Sequence, residues 1–279
     1  MTKLEPYSFQ NIYLITTYRC NWDCDFCLFK YNIEKEAPIS EIIHKLEYSI
    51  KDSKRRVYIK ITGGEPFLTA DLLRAIFDLS KKYQNKIYKI GIGTNGSIRL
   101  PYFFNDVTIR THIFLSRHNW DEQLPTPKDL LGNIDNELID FRVNCNLIKG
   151  GIDNIDKIKE YIKGSLDMGI DHICFRELSK VEVDINMMYP KQIYDYIAYY
   201  KERVIYTKDI ERKIKSDPEF SHITRKTGNY YDLNNWYWFT SMKQVRLICS
   251  RRNILQRASV KFRSIDEVKL IEYNRDISR

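Results

Sequence analysis

The chain has 279 residues, 43% of them hydrophobic and 29% charged, with a formal net charge of +8. This size and composition predict one globular domain, with or without an appendage, and exclude a fibrous or low-complexity chain. No apolar stretch approaches the roughly 18 residues of a membrane helix, and the first residues lack the apolar core of a signal peptide, so we expect a soluble cytoplasmic protein. The positive charge fits either a solvated surface or an anionic partner.

Strands that alternate with helices are predicted along the first two thirds of the chain. Three helices are predicted: one begins at Ser40, one begins at Thr69, and one spans residues 153–168. Only residues 97–106 separate the turn after the third predicted strand from the fourth strand, and this connection is too short for a full helix. Such alternation predicts a parallel sheet with right-handed crossovers. The predicted strands are residues 11–17, 57–62, 86–91, 107–116, 139–148 and 171–175.

Three of the six cysteines form a C-x3-C-x2-C motif directly after the first predicted strand, at Cys20, Cys24 and Cys27. This spacing lets one loop present three thiolates to a single inorganic centre. A structural zinc ion prefers four protein ligands, and no nearby His or Cys supplies the fourth. Three thiolates suit a [4Fe–4S] cluster that keeps one iron open. The cysteines that we expect to be buried core thiols are Cys145, Cys174 and Cys249.

Further motifs follow other predicted strands. Gly63-Gly64-Glu65-Pro66 follows the second, Thr94-Asn95-Gly96 follows the third, and residues 144–150 end the fifth. Together with the cysteine loop, and in this order, these motifs resemble those of the radical S-adenosylmethionine (radical SAM) enzymes. Phe26 matches the aromatic residue that the family places before its third cysteine. The resemblance covers residues 8–180, and this core is similar to the molybdenum-cofactor branch that rearranges GTP.

The resemblance implies one [4Fe–4S] cluster, ligated by the three clustered cysteines, and S-adenosylmethionine (SAM) as the second cofactor. It implies that Gly63 and Gly64 leave room for the methionyl group, that Glu65 meets its amine, and that Ile148 packs on the adenine. Ser116 and Asn144 either contact SAM or only satisfy backbone groups at the strand ends. The full set of SAM contacts implied in this way is Phe26, Gly63, Gly64, Glu65, Pro66, Thr94, Asn95, Ser116, Asn144 and Ile148.

The expected fold is α/β, a partial (β/α)6 TIM-like barrel with a small C-terminal β-containing cap. Residues 1–180 form the radical SAM core, and residues 181–279 supply a helix and a region that caps the substrate. Ligands of such folds bind at the carboxyl ends of the strands, where the motifs lie. The aromatic segment 229–239 is either a packed β core or a stacking platform for a substrate ring.

The expected function is hydrogen abstraction from a small anionic or ring-bearing metabolite in biosynthesis, with a flavodoxin- or ferredoxin-type electron donor. Lys60, Arg142 and Arg176 are candidate countercharges for the substrate, unless internal acids such as Asp140 or Glu177 pair with them. The alternatives are radical SAM modification of RNA or a peptide, activation of a glycyl-radical enzyme, and a metal-binding module without catalysis. The last candidates, which face either the substrate or the surface, are Arg117 and His118.

Overall fold

The computed structural model describes residues 9–27, 36–118, 124–170 and 172–178, together with short segments between residues 199 and 273. Its first part is an α/β fold in which six parallel strands follow one another in chain order. The predicted fold class is thereby confirmed. The strands are β1 (Phe9–Ile15), β2 (Arg56–Thr62), β3 (Ile87–Thr94), β4 (Thr111–Ser116), β5 (Ile139–Leu147) and β6 (His172–Glu177).

Helices connect these strands and cover one face of the sheet. Side chains of that face, such as Ile59, Ile113 and Val143, are completely buried against the helices. The opposite face carries polar and charged side chains at alternate positions, because successive strand residues point to opposite sides. None of the described helices is long and apolar enough to cross a membrane. The helices are α1 (Ile39–Asp52), α2 (Ala70–Lys82), α3 (Pro127–Leu131) and α4 (Ile155–Asp167).

Two local differences from the sequence prediction have physical causes. β4 begins at Thr111 rather than at residue 107, because Val107 and Ile109 are buried in the loop that follows a short 3-10 helix at Tyr102–Asp106. Helix α3 was not predicted, since it is only five residues long. A reciprocal capping box between Thr126 and Asp129 starts it.

Four of the described C-terminal strands add to the edges of the same sheet, and the other two form a separate antiparallel pair at Val260–Phe262 and Val268–Leu270. β9 (Trp236–Thr240) pairs in parallel with β6, and β8 (Asn229–Tyr231) pairs antiparallel with β9. At the other edge, β12 (Glu272–Tyr273) pairs antiparallel with β1. The strand order is linear and the described sheet stays open, as expected for a partial barrel. The predicted strand 244–249, with Cys249, lies outside the described residues, and the capping role remains a prediction. These strands are β7 (Thr224–Lys226), β8 (Asn229–Tyr231), β9 (Trp236–Thr240), β10 (Val260–Phe262), β11 (Val268–Leu270) and β12 (Glu272–Tyr273).

Candidate active site

The cysteine loop leaves the carboxyl end of β1 and carries three cysteines that form no disulfide bond within the described residues. Cys20 is exposed, whereas Cys24 and Cys27 are half-buried, and the Cys27 amide donates to the Cys24 carbonyl at 2.9 Å. No three His, Cys, Asp or Glu side chains of the described residues are grouped to hold one metal ion. A [4Fe–4S] cluster has a different requirement, because each thiolate binds its own iron. Three thiols on one partly exposed loop are therefore a donor set that fits a cluster.

The Gly63-Gly64 turn after β2 lies directly against the start of the cysteine loop. The Gly64 amide donates to the Thr17 carbonyl and the Glu65 amide to the Arg19 carbonyl, both at 2.8 Å. A Cβ on Gly63 would lie 2.2 Å from the Thr17 oxygen, and one on Gly64 only 2.0 Å from the Arg19 oxygen. Both glycines are thus required for this backbone contact. Their predicted role in admitting the methionyl group stays a prediction.

Glu65 is completely buried and joins the ends of β2 and β3. Its carboxylate accepts hydrogen bonds from the Phe67 amide at 3.0 Å, the Thr94 hydroxyl at 2.8 Å and the Asn95 amide at 2.8 Å. Burial raises the pKa of this carboxyl group, although the three hydrogen bonds oppose the shift. Pro66, also buried, begins the 3-10 helix Pro66–Thr69 that Glu65 caps. A contact between Glu65 and the SAM amine stays a prediction, and the observed contacts are internal.

We expect Glu65→Gln to lower the free energy of unfolding by ~1–3 kcal/mol, because an amide NH2 would replace one acceptor oxygen among three donors. Urea unfolding measures this loss. Glu36→Gln is the control, because the Glu36 carboxylate is partly exposed and forms an ion pair with the exposed Arg19. A variant as stable as wild type that nevertheless binds SAM more weakly would contradict the structural role and favour the contact with the amine.

The turn after β3 approaches the cysteine loop through Asn95. Its side-chain nitrogen lies 2.8 Å from Asn21 Oδ1 and 3.8 Å from Cys20 Sγ, and its oxygen accepts from the Ser97 amide at 2.9 Å. Thr94 is buried and donates to Glu65. Asn21 and Ser97 were not predicted as site residues, since nothing in the sequence indicates that their loops meet.

The ends of β4 and β5 place Ser116 beside Asn144 in register. Asn144 is buried, and its Oδ1 atom has no hydrogen-bond partner among the described residues. A buried acceptor without a partner costs free energy, so this atom suits a donor on a bound ligand such as a hydroxyl or an amine. Ile148 is buried just beyond β5, where it remains the predicted neighbour of the adenine. These residues fit a SAM site.

His118 and Arg117 are adjacent in the sequence but make different contacts. The His118 ring lies edge-on to Phe26, with the centroids 4.5 Å apart, and its Nδ1 accepts from the Asn146 amide at 3.1 Å. Burial lowers the pKa of His118 to about 3, so the ring is neutral and carries its proton on Nε2. The burial of Arg117 corrects the expectation of a surface residue, and a contact between Arg117 and a substrate stays a prediction. Arg117 is buried and donates to the carbonyls of Asn95 at 3.2 Å and Pro125 at 2.8 Å.

Two of the three predicted countercharges contact aromatic rings on the polar face of the sheet. The Lys60 ammonium is 3.0 Å from the Tyr13 hydroxyl and 4.9 Å from the centre of the Tyr58 ring. The Arg142 guanidinium lies 4.1 Å from the centre of the Phe114 ring, and burial lowers the pKa of Arg142 to about 10. Such rings hold a cation in place without neutralising it.

Lys89 and His112 belong to the same face and were not predicted. Burial and then the charge of Arg142 lower the pKa of Lys89, while burial and then Lys89 lower the pKa of His112 to about 4. Asp140 is 3.0 Å from Arg110 and 3.3 Å from His112, so these are the partners that its carboxylate contacts. Alternation could have revealed both residues, since Lys89 shares a face with Gly91 and His112 with Ser116.

Arg176, the third predicted countercharge, is half-buried on β6 and pairs in register with Asn146. Its positive charge helps to lower the pKa values of both His118 and Arg142, after the larger effect of burial. Glu177, its proposed alternative partner, has a side chain outside the described part of the structure. The positively charged residues on the polar face of the sheet are thus Lys60, Lys89, Arg142 and Arg176.

Comparison with known proteins gives independent information about this site. A family model described as the radical SAM superfamily matches residues 14–101, which include the cysteine loop and the motifs after β2 and β3. A GTP 3′,8-cyclase of Staphylococcus carnosus is 27% identical over 217 residues, covering 72% of this chain and 54% of the relative. A "Probable GTP 3′,8-cyclase" of Sulfurisphaera tokodaii is 26% identical over 198 residues, covering 64% and 59%. The chain thus spans little more than half the length of these curated relatives.

A solved structure, "Native anSMEcpe with bound AdoMet", is also similar. The match covers 73% of this chain and 62% of the other, with 15% sequence identity and a TM-score of 0.47.

Proposed function

We propose that this chain is a radical SAM enzyme, which binds one [4Fe–4S] cluster and SAM and acts on a small anionic metabolite that bears a ring. Cys20, Cys24 and Cys27 would hold the cluster, since they are the thiols of one loop at the carboxyl edge of the sheet. When bound, the cluster supplies the electron that cleaves SAM and releases a 5′-deoxyadenosyl radical.

The chain's own residues would bind and orient SAM beside the cysteine loop. Asn144 offers a buried acceptor without a partner among the described residues, and Ser116 offers a hydroxyl in the adjacent position. Phe26 and His118 form an aromatic pair at the same edge. Because His118 is neutral, it would serve a ligand as a hydrogen-bond donor through Nε2 rather than as a positive charge.

The observation that supports an anionic substrate is the excess of positive charge on the polar face of the sheet. Lys60, Lys89, Arg142 and Arg176 share this face, and Asp140 is the one carboxylate at the corresponding described positions of β1 to β6. Asp140 contacts Arg110 and His112. Burial, followed by the charge of Arg142, lowers the pKa of Lys89, and burial also lowers the pKa of Arg142, so an anion bound at this face would stabilise both cations. The aromatic rings beside them would receive the ring of the substrate.

The probe for this proposal is GTP, because the relatives carry the name GTP 3′,8-cyclase. Lys60→Met and Arg142→Met are expected to weaken GTP binding at least tenfold, ~1.4 kcal/mol, while affecting guanosine little. Both variants should still form 5′-deoxyadenosine without substrate, since neither residue belongs to the cysteine loop. Isothermal titration and anaerobic product analysis measure the two properties separately.

Arg56→Met is the matched control, since it removes a positive charge from β2 at the end remote from the motifs, where Arg56 contacts the Ile87 carbonyl. Its GTP affinity should equal that of wild type. Equal GTP affinity in wild type and all three variants would contradict the proposed countercharges. The net charge of +8 would then be explained by solubility.

A further inference from the structure

Resting on the proposed cluster, we propose that Asn95 is a positioning residue for it. Its side-chain amide donates a hydrogen bond to the sulfur of Cys20 and thereby makes the cluster easier to reduce. The donor nitrogen is 3.8 Å from Cys20 Sγ, which is within hydrogen-bonding reach of a sulfur atom. The loops that carry these two residues are 75 positions apart in the sequence.

The orientation of the Asn95 amide follows from its other contacts. The Ser97 backbone N–H can only donate, and it points at Asn95 Oδ1 at 2.9 Å. The oxygen of the amide must therefore face Ser97, which leaves the NH2 group facing Asn21 Oδ1 and Cys20 Sγ. The Ser97 hydroxyl also donates to the same oxygen at 2.7 Å, and a flipped amide would place its NH2 group against the Ser97 backbone N–H, which cannot accept.

The backbone of Asn95 is fixed just as firmly. Its N–H donates to the buried carboxylate of Glu65 at 2.8 Å, and its carbonyl accepts from Arg117 at 3.2 Å. Both partners are almost completely buried. Glu65 and Arg117 thus hold Asn95 against the cysteine loop, and this gives the two buried charged residues a common role.

A hydrogen bond to a cluster sulfur favours the reduced state, because reduction adds negative charge that the donor stabilises. The amide of Asn95 is neutral and nearly buried, so water does not compete strongly for it. Removal of this donor should therefore make the reduction potential more negative. A role limited to folding would not shift the potential of the clusters that still assemble.

The test is an anaerobic redox titration of the reconstituted full chain, followed by electron paramagnetic resonance, on wild type, Asn95→Leu and Ser97→Ala. For Asn95→Leu we expect a normal iron content and a reduced-to-oxidised ratio at least threefold lower than that of wild type at the wild-type midpoint. Ser97→Ala is the matched control, since it loosens the same turn without removing the N–H group that faces Cys20. Its ratio should stay within experimental error of wild type.

Asn95→Ser, whose hydroxyl is too short to reach the sulfur, is the second variant should Leu prevent folding. A normal cluster with an unchanged potential in either Asn95 variant would overturn the inference, as would an equal shift in Ser97→Ala. Loss of iron from both Asn95 variants would also overturn it, since the amide would then be needed for assembly. Wild type without any cluster would instead refute the proposed function.

Discussion

Replacing any one of Cys20, Cys24 and Cys27 by Ala is expected to abolish both the cluster and the cleavage of SAM. Anaerobically reconstituted wild type should contain about four irons per chain, as a single [4Fe–4S] cluster does. Each variant should lose most of this iron, because the described structure places these three thiols on one loop. Iron and sulfide analysis with the absorption spectrum measures the loss.

Cys249→Ala is the control for that experiment, since Cys249 is distant from the motif in sequence. Cys145 and Cys174 are less suitable, because both are buried and their removal would leave cavities in the sheet. Cys249→Ala should retain the wild-type iron content. A loss of about four irons in this variant would contradict the proposal of a single cluster.

The second large effect is expected for Gly64→Ala. The new Cβ would lie 2.0 Å from the Arg19 carbonyl oxygen, and neither backbone can move aside without breaking the hydrogen bonds between the two segments. We expect the free energy of unfolding to fall by about 3 kcal/mol or more and the cysteine loop to lose its support. Urea unfolding of the protein without cluster measures stability, and iron content after reconstitution measures the loop.

Gly93→Ala provides the matched comparison on the next strand. The nearest atoms to its added Cβ are 3.8 Å away, which is ordinary van der Waals contact, and its backbone has no positive φ. This variant should unfold like wild type. Similar stabilities for Gly64→Ala and Gly93→Ala would contradict the close backbone contact that the structure shows.

The sheet could be predicted because its helices and strands have different hydrophobic periods. Ile42, Leu46 and Ile50 recur at helical spacing and are buried on α1, and the strands alternate buried with polar positions. The start of β4 could not be predicted, since Val107 and Ile109 are buried by neighbouring loops rather than by strand pairing. Apolar character reports burial, and it does not distinguish a strand from a tightly packed turn.

The candidate site could be predicted where motifs mark strand ends, but contacts between motifs could not. The resemblance to radical SAM enzymes implies that Glu65 contacts SAM, whereas its observed partners are Phe67, Thr94 and Asn95. Which groups surround a carboxylate depends on how two strand ends and a 3-10 helix pack together. For the same reason, the hydrogen bond from Asn95 to Cys20 emerges only from the structure.

The most direct test of the account is the formation of 5′-deoxyadenosine from SAM by the reconstituted, reduced chain without oxygen. Wild type should release 5′-deoxyadenosine, and the Cys24→Ala variant should release none under the same conditions. A protein that contains one zinc ion per chain, and that leaves SAM intact in the presence of a strong reductant, would contradict the proposed radical chemistry.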